Sequence, residues 1–177
     1  VRWDDLFDDL AARVEHAQRL DAAEEVADRI RRDEATVTLA ARVRATSGRL
    51  VFVLRDGSSV AGTVEGVGPD WFLVREEAGR RQVLLPTPSV LAVRGVARAS
   101  AAPWGAVAAR RTLLLAVRAL AGAGVEVLVR TGSFDVRGTV SRVGADHVDV
   151  LVDQSADGLA GSVTIPFAGL LSITELG

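Results

Sequence analysis

The chain opens with apolar residues at a helical period. Trp3, Leu6, Phe7, Leu10, Val14 and Ala17 keep the i, i+3, i+4, i+7 spacing, and Leu20, Ala23, Val26, Ala27 and Ile30 continue the stripe. No Gly or Pro interrupts it before Gly48. Asp4 and Asp5 in the first turn, and Arg29, Arg31 and Arg32 at the far end, complement a helix dipole. The pattern predicts a long acidic amphipathic helix over residues 1–37. Its Trp3, Phe7 and Leu10 face either packs on the rest of the chain or docks on a partner.

The period then changes from helical to alternating, and the change happens twice. "TLAARVRATSG" predicts a short helix over Thr38–Gly48, with a Thr to cap it and a Gly to end it. "RLVFVLRDGSSVAGTVEGV" predicts two strands around an "RDGS" turn, and "DWFLVREEAGRRQVLL" a second hairpin. "PTPSVLAV" predicts a Pro-containing turn and a fifth strand. The same order returns as "TLLLAVRALAG", "VEVLVRTGSFDVRGTVSRV", "DHVDVLVDQSADGLAGSVTI" and "PFAGLLSI". One helix and five strands are therefore written twice. The domain organisation expected is a helix at 1–37, a first copy at 38–98, an Ala-rich linker at 99–111, helical after Pro103, and a second copy at 112–177.

Composition narrows the chemistry. The chain has no Cys and two His, which excludes thiolate sites, disulfides and a His-rich metal site. No Lys, Asn or Tyr occurs, so the usage resembles that of a GC-rich, actinobacterium-like genome and Arg in place of Lys carries no special meaning. A net charge of −2 is unlike that of a nucleic-acid coat, although residues 48–98 are mildly basic. The most apolar run, "TLLLAVRALAGAGVEVLV", is broken by Arg118, Glu126 and glycines, so no membrane span is expected. With no basic leader ahead of the first helix, the expectation is a cytoplasmic protein.

A short helix followed by five short bent strands, with a Gly in the second, resembles the Sm-like fold of Sm, LSm and Hfq-type proteins. The motif "hydrophobic-x-Leu-x-Asp-Gly-x-x-x-x-Gly" of that family is matched by "VFVLRDGSSVAG", with Asp56, Gly57 and Gly62. Gly138 repeats Gly62, and a strand that bends to close a small barrel needs a residue without Cβ at the bend. PRC-type and SH3-like barrels share the same rhythm. The resemblance implies two tandem five-stranded barrels, each preceded by a short helix. It also implies self-association through strand edges, with a pseudo-hexameric ring from three chains as one geometry. The family's RNA pocket does not carry over. Its Asn position falls at or near Phe72 and Val148, and its Arg position at Pro86 and Pro166.

Candidate contact residues are few. Trp71 and Phe72 are adjacent on a strand, so one ring points into the core and the other outward. Arg49, Arg55, Arg75, Arg80 and Arg81 form the only phosphate-binding set, or else a solvated face paired with Glu76 and Glu77. Asp70 and Asp146, each after a Gly turn, are expected to bond their own turn backbone. His147 stands between Asp146 and Asp149 with no nucleophile, phosphate loop or dinucleotide fingerprint in the chain. The sequence thus favours a non-catalytic binding or assembly module with no cofactor and a protein partner. The alternative is RNA binding on a non-standard surface made by Arg55, Trp71, Arg75, Arg80, Arg81 and His147.

Overall fold

The computed structural model describes residues 34–77, 81–152 and 161–176, together with Glu25, Asp28, Arg29 and Arg31. Two compact units divide the chain, Val1–Thr38 and Leu39–Gly177. In the first unit the described residues Glu25, Asp28, Arg29, Arg31 and 34–36 are helical, and Val37 and Thr38 are not. Trp3, Phe7 and Leu10, and most of the helix expected over 1–37, lie outside the described residues. Among the described elements every helix is short, and the longest has 11 residues. The long N-terminal helix is therefore no part of the described fold.

The second unit carries the repeat. Helix α1 (Leu39–Arg44) precedes β1 (Arg49–Leu54), β2 (Ser59–Val67), β3 (Trp71–Glu76), β4 (Gln82–Pro86) and β5 (Val90–Arg94). After helices α2 (Ala106–Ala109) and α3 (Leu113–Ala123) come β6 (Glu126–Thr131), β7 (Asp135–Val143), β8 (His147–Val152), β9 (Gly161–Pro166) and β10 (Leu170–Glu175). One 3-10 turn leads into β5 and another into β10. The residues of the expected linker are not slack. Ala101 N–H donates to the Ala41 carbonyl at 2.9 Å, and the Arg44 guanidinium lies 5.1 Å from the Trp104 ring centre.

The two copies do not form two five-stranded barrels. All ten strands belong to one open antiparallel sheet in the order β5-β1-β2-β3-β4-β10-β6-β7-β8-β9. The reason lies at β4. Its outer edge is taken by β10 from the other copy, with Ile173 opposite Leu84 and Thr174 opposite Val83. Neither half closes on itself, because β5 pairs only with β1 and β10 bridges to the first half.

Within the halves the repeat is faithful. Leu50 pairs with Gly62 as Val127 pairs with Gly138, and β2 and β7 carry a bulge at the same place. Trp71 stands opposite Pro86 as His147 stands opposite Pro166. Each half folds over its own apolar cluster, but the clusters exchange residues. Leu171 of the second copy is buried in the first-half cluster with Phe52, Phe72 and Leu85. Leu84 of the first copy is buried in the second-half cluster, with Trp71 and Leu73 packed against it. Phe52 and Phe72 anchor the first cluster with ring centres 5.3 Å apart.

Candidate functional site

Several long-range side-chain hydrogen bonds of the second unit meet at the joint between the copies. Trp71 starts β3 and turns its ring back over Gly68, where an added Cβ would sit 2.1 Å from Nε1. So held, Trp71 Nε1–H donates to the Arg111 carbonyl at 2.7 Å, just ahead of α3. Asp70 Oδ1 accepts the Leu113 N–H at 2.8 Å, so its carboxylate reaches the start of α3. Arg55, in the first hairpin turn, donates to the carbonyls of Ala168 (2.9 Å) and Leu170 (3.2 Å). Ser89 Oγ is fully buried, 2.7 Å from the Pro86 carbonyl and 2.9 Å from that of Leu171.

Asp56 closes the same joint from the turn side. Its carboxylate accepts from Ser58 Oγ (2.6 Å) and Ser58 N–H (3.0 Å), and from Arg130 Nη2 of β6 (3.1 Å). The Ser58 hydroxyl holds its pKa below the usual carboxylate value. Burial opposes this, and Arg130 adds to the lowering.

Beside the joint lies an apolar groove of about 420 Å³. Its lining includes Trp71, Leu73, Leu84 and Ile173 from the sheet and Leu115 and Ala116 from α3.

The expected contact residues do not converge. Arg55 and Trp71 face the joint, where both are engaged. Arg75 Nε pairs with Glu65 at 2.5 Å, and Arg49 pairs with Glu77 at 2.8 Å. Arg81 is exposed at the start of β4, and Arg80 lies outside the described residues. His147 sits in the other half, with Nδ1 2.8 Å from Asp146 Oδ1. That contact holds Asp146 below the usual carboxylate range. Among the described residues no group of three His, Cys, Asp or Glu could hold a metal ion. No described helix is long and apolar enough to cross a membrane.

Sequence reasoning missed the joint residues Ser89, Arg111, Leu171 and Leu113. The repeat aligns Leu171 with Leu91 and Leu113 with Leu39, and by that signal the members of each pair should be buried alike. They are not. Leu171 is 1% exposed and Leu91 66%, while Leu113 is 6% exposed and Leu39 40%. No protein-family model matches the chain, and no curated protein or solved structure matches it.

Proposed function

We propose that this protein is a non-catalytic assembly module that associates with further copies of itself, in the cytoplasm, through its two outer strands. The observation that carries the reading is the fate of one residue in the two copies. Leu171 crosses the joint and is buried in the neighbouring half, whereas its counterpart Leu91 stands 66% exposed on β5. Among the described strands β5 and β9 end the sheet, each with one edge lacking a strand partner. Such edges template further pairing.

A second copy that set its β5 on β9 would repeat the β4–β10 pairing, with Val93 opposite Thr164 in place of Ile173 opposite Leu84. The contact is head-to-tail, so it closes into a ring or runs on as a filament. A ring of three chains is the closed form that the resemblance to Sm-like proteins implies. The joint favours assembly over RNA binding, since Arg55 and Trp71 are occupied there.

The test is sedimentation velocity of the chain at micromolar concentrations, beside Leu91→Asp. Association of the wild type that is lost in Leu91→Asp supports the reading. A wild-type monomer throughout that range overturns it.

A further inference from the structure

Each polar tie of the internal joint has a counterpart position at the open end, and most of those counterparts are bare. The hairpin turn that holds Arg55 and Asp56 is matched by Gly132 and Ser133, neither of them charged. Ser89 is matched by Gly169, and Arg130 by Val53 on β1. Two positions keep their chemistry. Asp70 is matched by Asp146, and Trp71 by His147.

Their backbone frames agree closely. Gly68 N–H donates to the Trp71 carbonyl and Gly144 N–H to the His147 carbonyl, both at 2.9 Å. Thr87 N–H donates to the Asp70 carbonyl at 2.8 Å, and Phe167 N–H to that of Asp146 at 2.7 Å. The His147 ring also lies back over its glycine, since a Cβ on Gly144 would meet it at 2.3 Å. An imidazole therefore stands where the first half holds an indole that grips the chain ahead of α3.

The two rings differ in one respect. Indole N–H is a donor at every pH, whereas a neutral imidazole has a single N–H. Asp146 draws that proton to Nδ1, which leaves Nε2 as an acceptor. Only the imidazolium offers Nε2–H to a carbonyl while still holding Asp146.

We propose that Asp146 and His147 are the seat for a second copy of this chain. His147 Nε2–H donates to the backbone carbonyl of residue 37 of that copy, the place Arg111 holds in the internal joint, and it does so only when the ring is protonated. The inference rests on the assembly reading above and adds a docking residue and a pH dependence to it.

Among the described residues, the charged groups on elements packed around His147 are Asp146, Asp149 on the same strand, and Arg142 of β7, which stands opposite Asp149. Asp149 also accepts from Thr164 Oγ1 of β9 at 2.6 Å. The incoming segment, Thr36–Leu39, is uncharged. The hydrogen bond from His147 holds the Asp146 carboxyl below its ordinary range, so the ring faces a carboxylate.

The experiment is sedimentation velocity at about pH 6 and about pH 8.5, with circular dichroism to confirm that each variant is folded. Wild-type association should weaken about tenfold or more at the higher pH, as expected when one group must take up a proton to bind. His147→Ala should associate at pH 6 no better than the wild type at the higher pH. His147→Trp restores the indole donor over Gly144 and should associate equally at both. Wild-type association that is equal at both pH values, or unchanged in His147→Ala, overturns the role of His147 and leaves the assembly reading in place. Wild type and His147→Trp both monomeric at both pH values overturn the two together.

Discussion

A Cβ placed on Gly62 would sit 2.0 Å from the Arg75 carbonyl oxygen, and one on Gly138 would sit 1.9 Å from that of Leu151. Backbone cannot retreat from such a contact without opening the β2–β3 or β7–β8 ladder. Gly62→Ala should therefore cost about 1–3 kcal/mol or more, read as a lower midpoint in urea unfolding with an unchanged slope. Both glycines are legible in the sequence as bend residues. The atom that forbids a side chain is not, because it belongs to the neighbouring strand.

Asp56 supports a prediction of a different kind at the same scale. Its pKa is lower folded than unfolded, so its contribution is present above the unfolded value of about 3.9 and fades as pH falls through the folded one. Asp56→Asn should accordingly be less stable than the wild type at neutral pH. The gap should narrow as pH falls through and below the unfolded carboxylate value, as followed by thermal melts.

At the scale of elements, the same strand behaves in two ways. β4 buries Val83, Leu84, Leu85 and Pro86 in succession, whereas its counterpart β9 buries Ile165 alone. β10 buries its first five residues, whereas β5 buries none. The difference is position in the sheet. β4 and β10 are interior and covered on both faces, and β5 and β9 are the outer strands. Side chains on the outward face follow suit, since Leu73 and Leu84 in the first copy become Asp149 and Thr164 in the second.

Leu171→Ala should cost about 2–5 kcal/mol, as large-to-small changes in a closed core do. Leu91→Ala should stay within about 0.5 kcal/mol in the dissociated chain. Parallel urea titrations at low concentration compare the two. Trp71→Phe keeps an aromatic ring but removes the donor to Arg111 and part of the indole's packing, and should cost about 1 kcal/mol or more in the same measurement.

For the whole molecule, the consequence of the joint is polarity. One end of the sheet presents β5 with the exposed Leu91. The other presents β9 with Asp146 and His147 at the start of the adjacent β8. Copies related head-to-tail bring unlike ends together, and copies related by a two-fold axis would pair like with like. Mixing two populations, one Leu91→Asp and one His147→Ala, separates these arrangements. A head-to-tail joint still forms between the intact β5 end of the His147→Ala chain and the intact β9 end of the Leu91→Asp chain, but it cannot propagate. The expected species at about pH 6 is therefore a mixed dimer, seen as a discrete step in native mass.

What the sequence determined by itself was the repeat unit: the short helices, the ten strands in order and the hairpin turns. These follow from short-range periodicity, and each copy writes its own. The partner of β4 was decided only by tertiary structure. "VLLP" and "VTIP" are near-equivalent strands by local pattern, and "VLAV" and "LLSI" are equally apolar in spacing. Which of them becomes interior depends on a joint between residues more than eighty positions apart, where Arg55 and Ser89 meet carbonyls of the second copy. A hydrogen bond to a backbone carbonyl leaves no trace in the identity of the residue that supplies it. The strands are therefore written in the chain, and the single sheet they form is set by contacts between the copies.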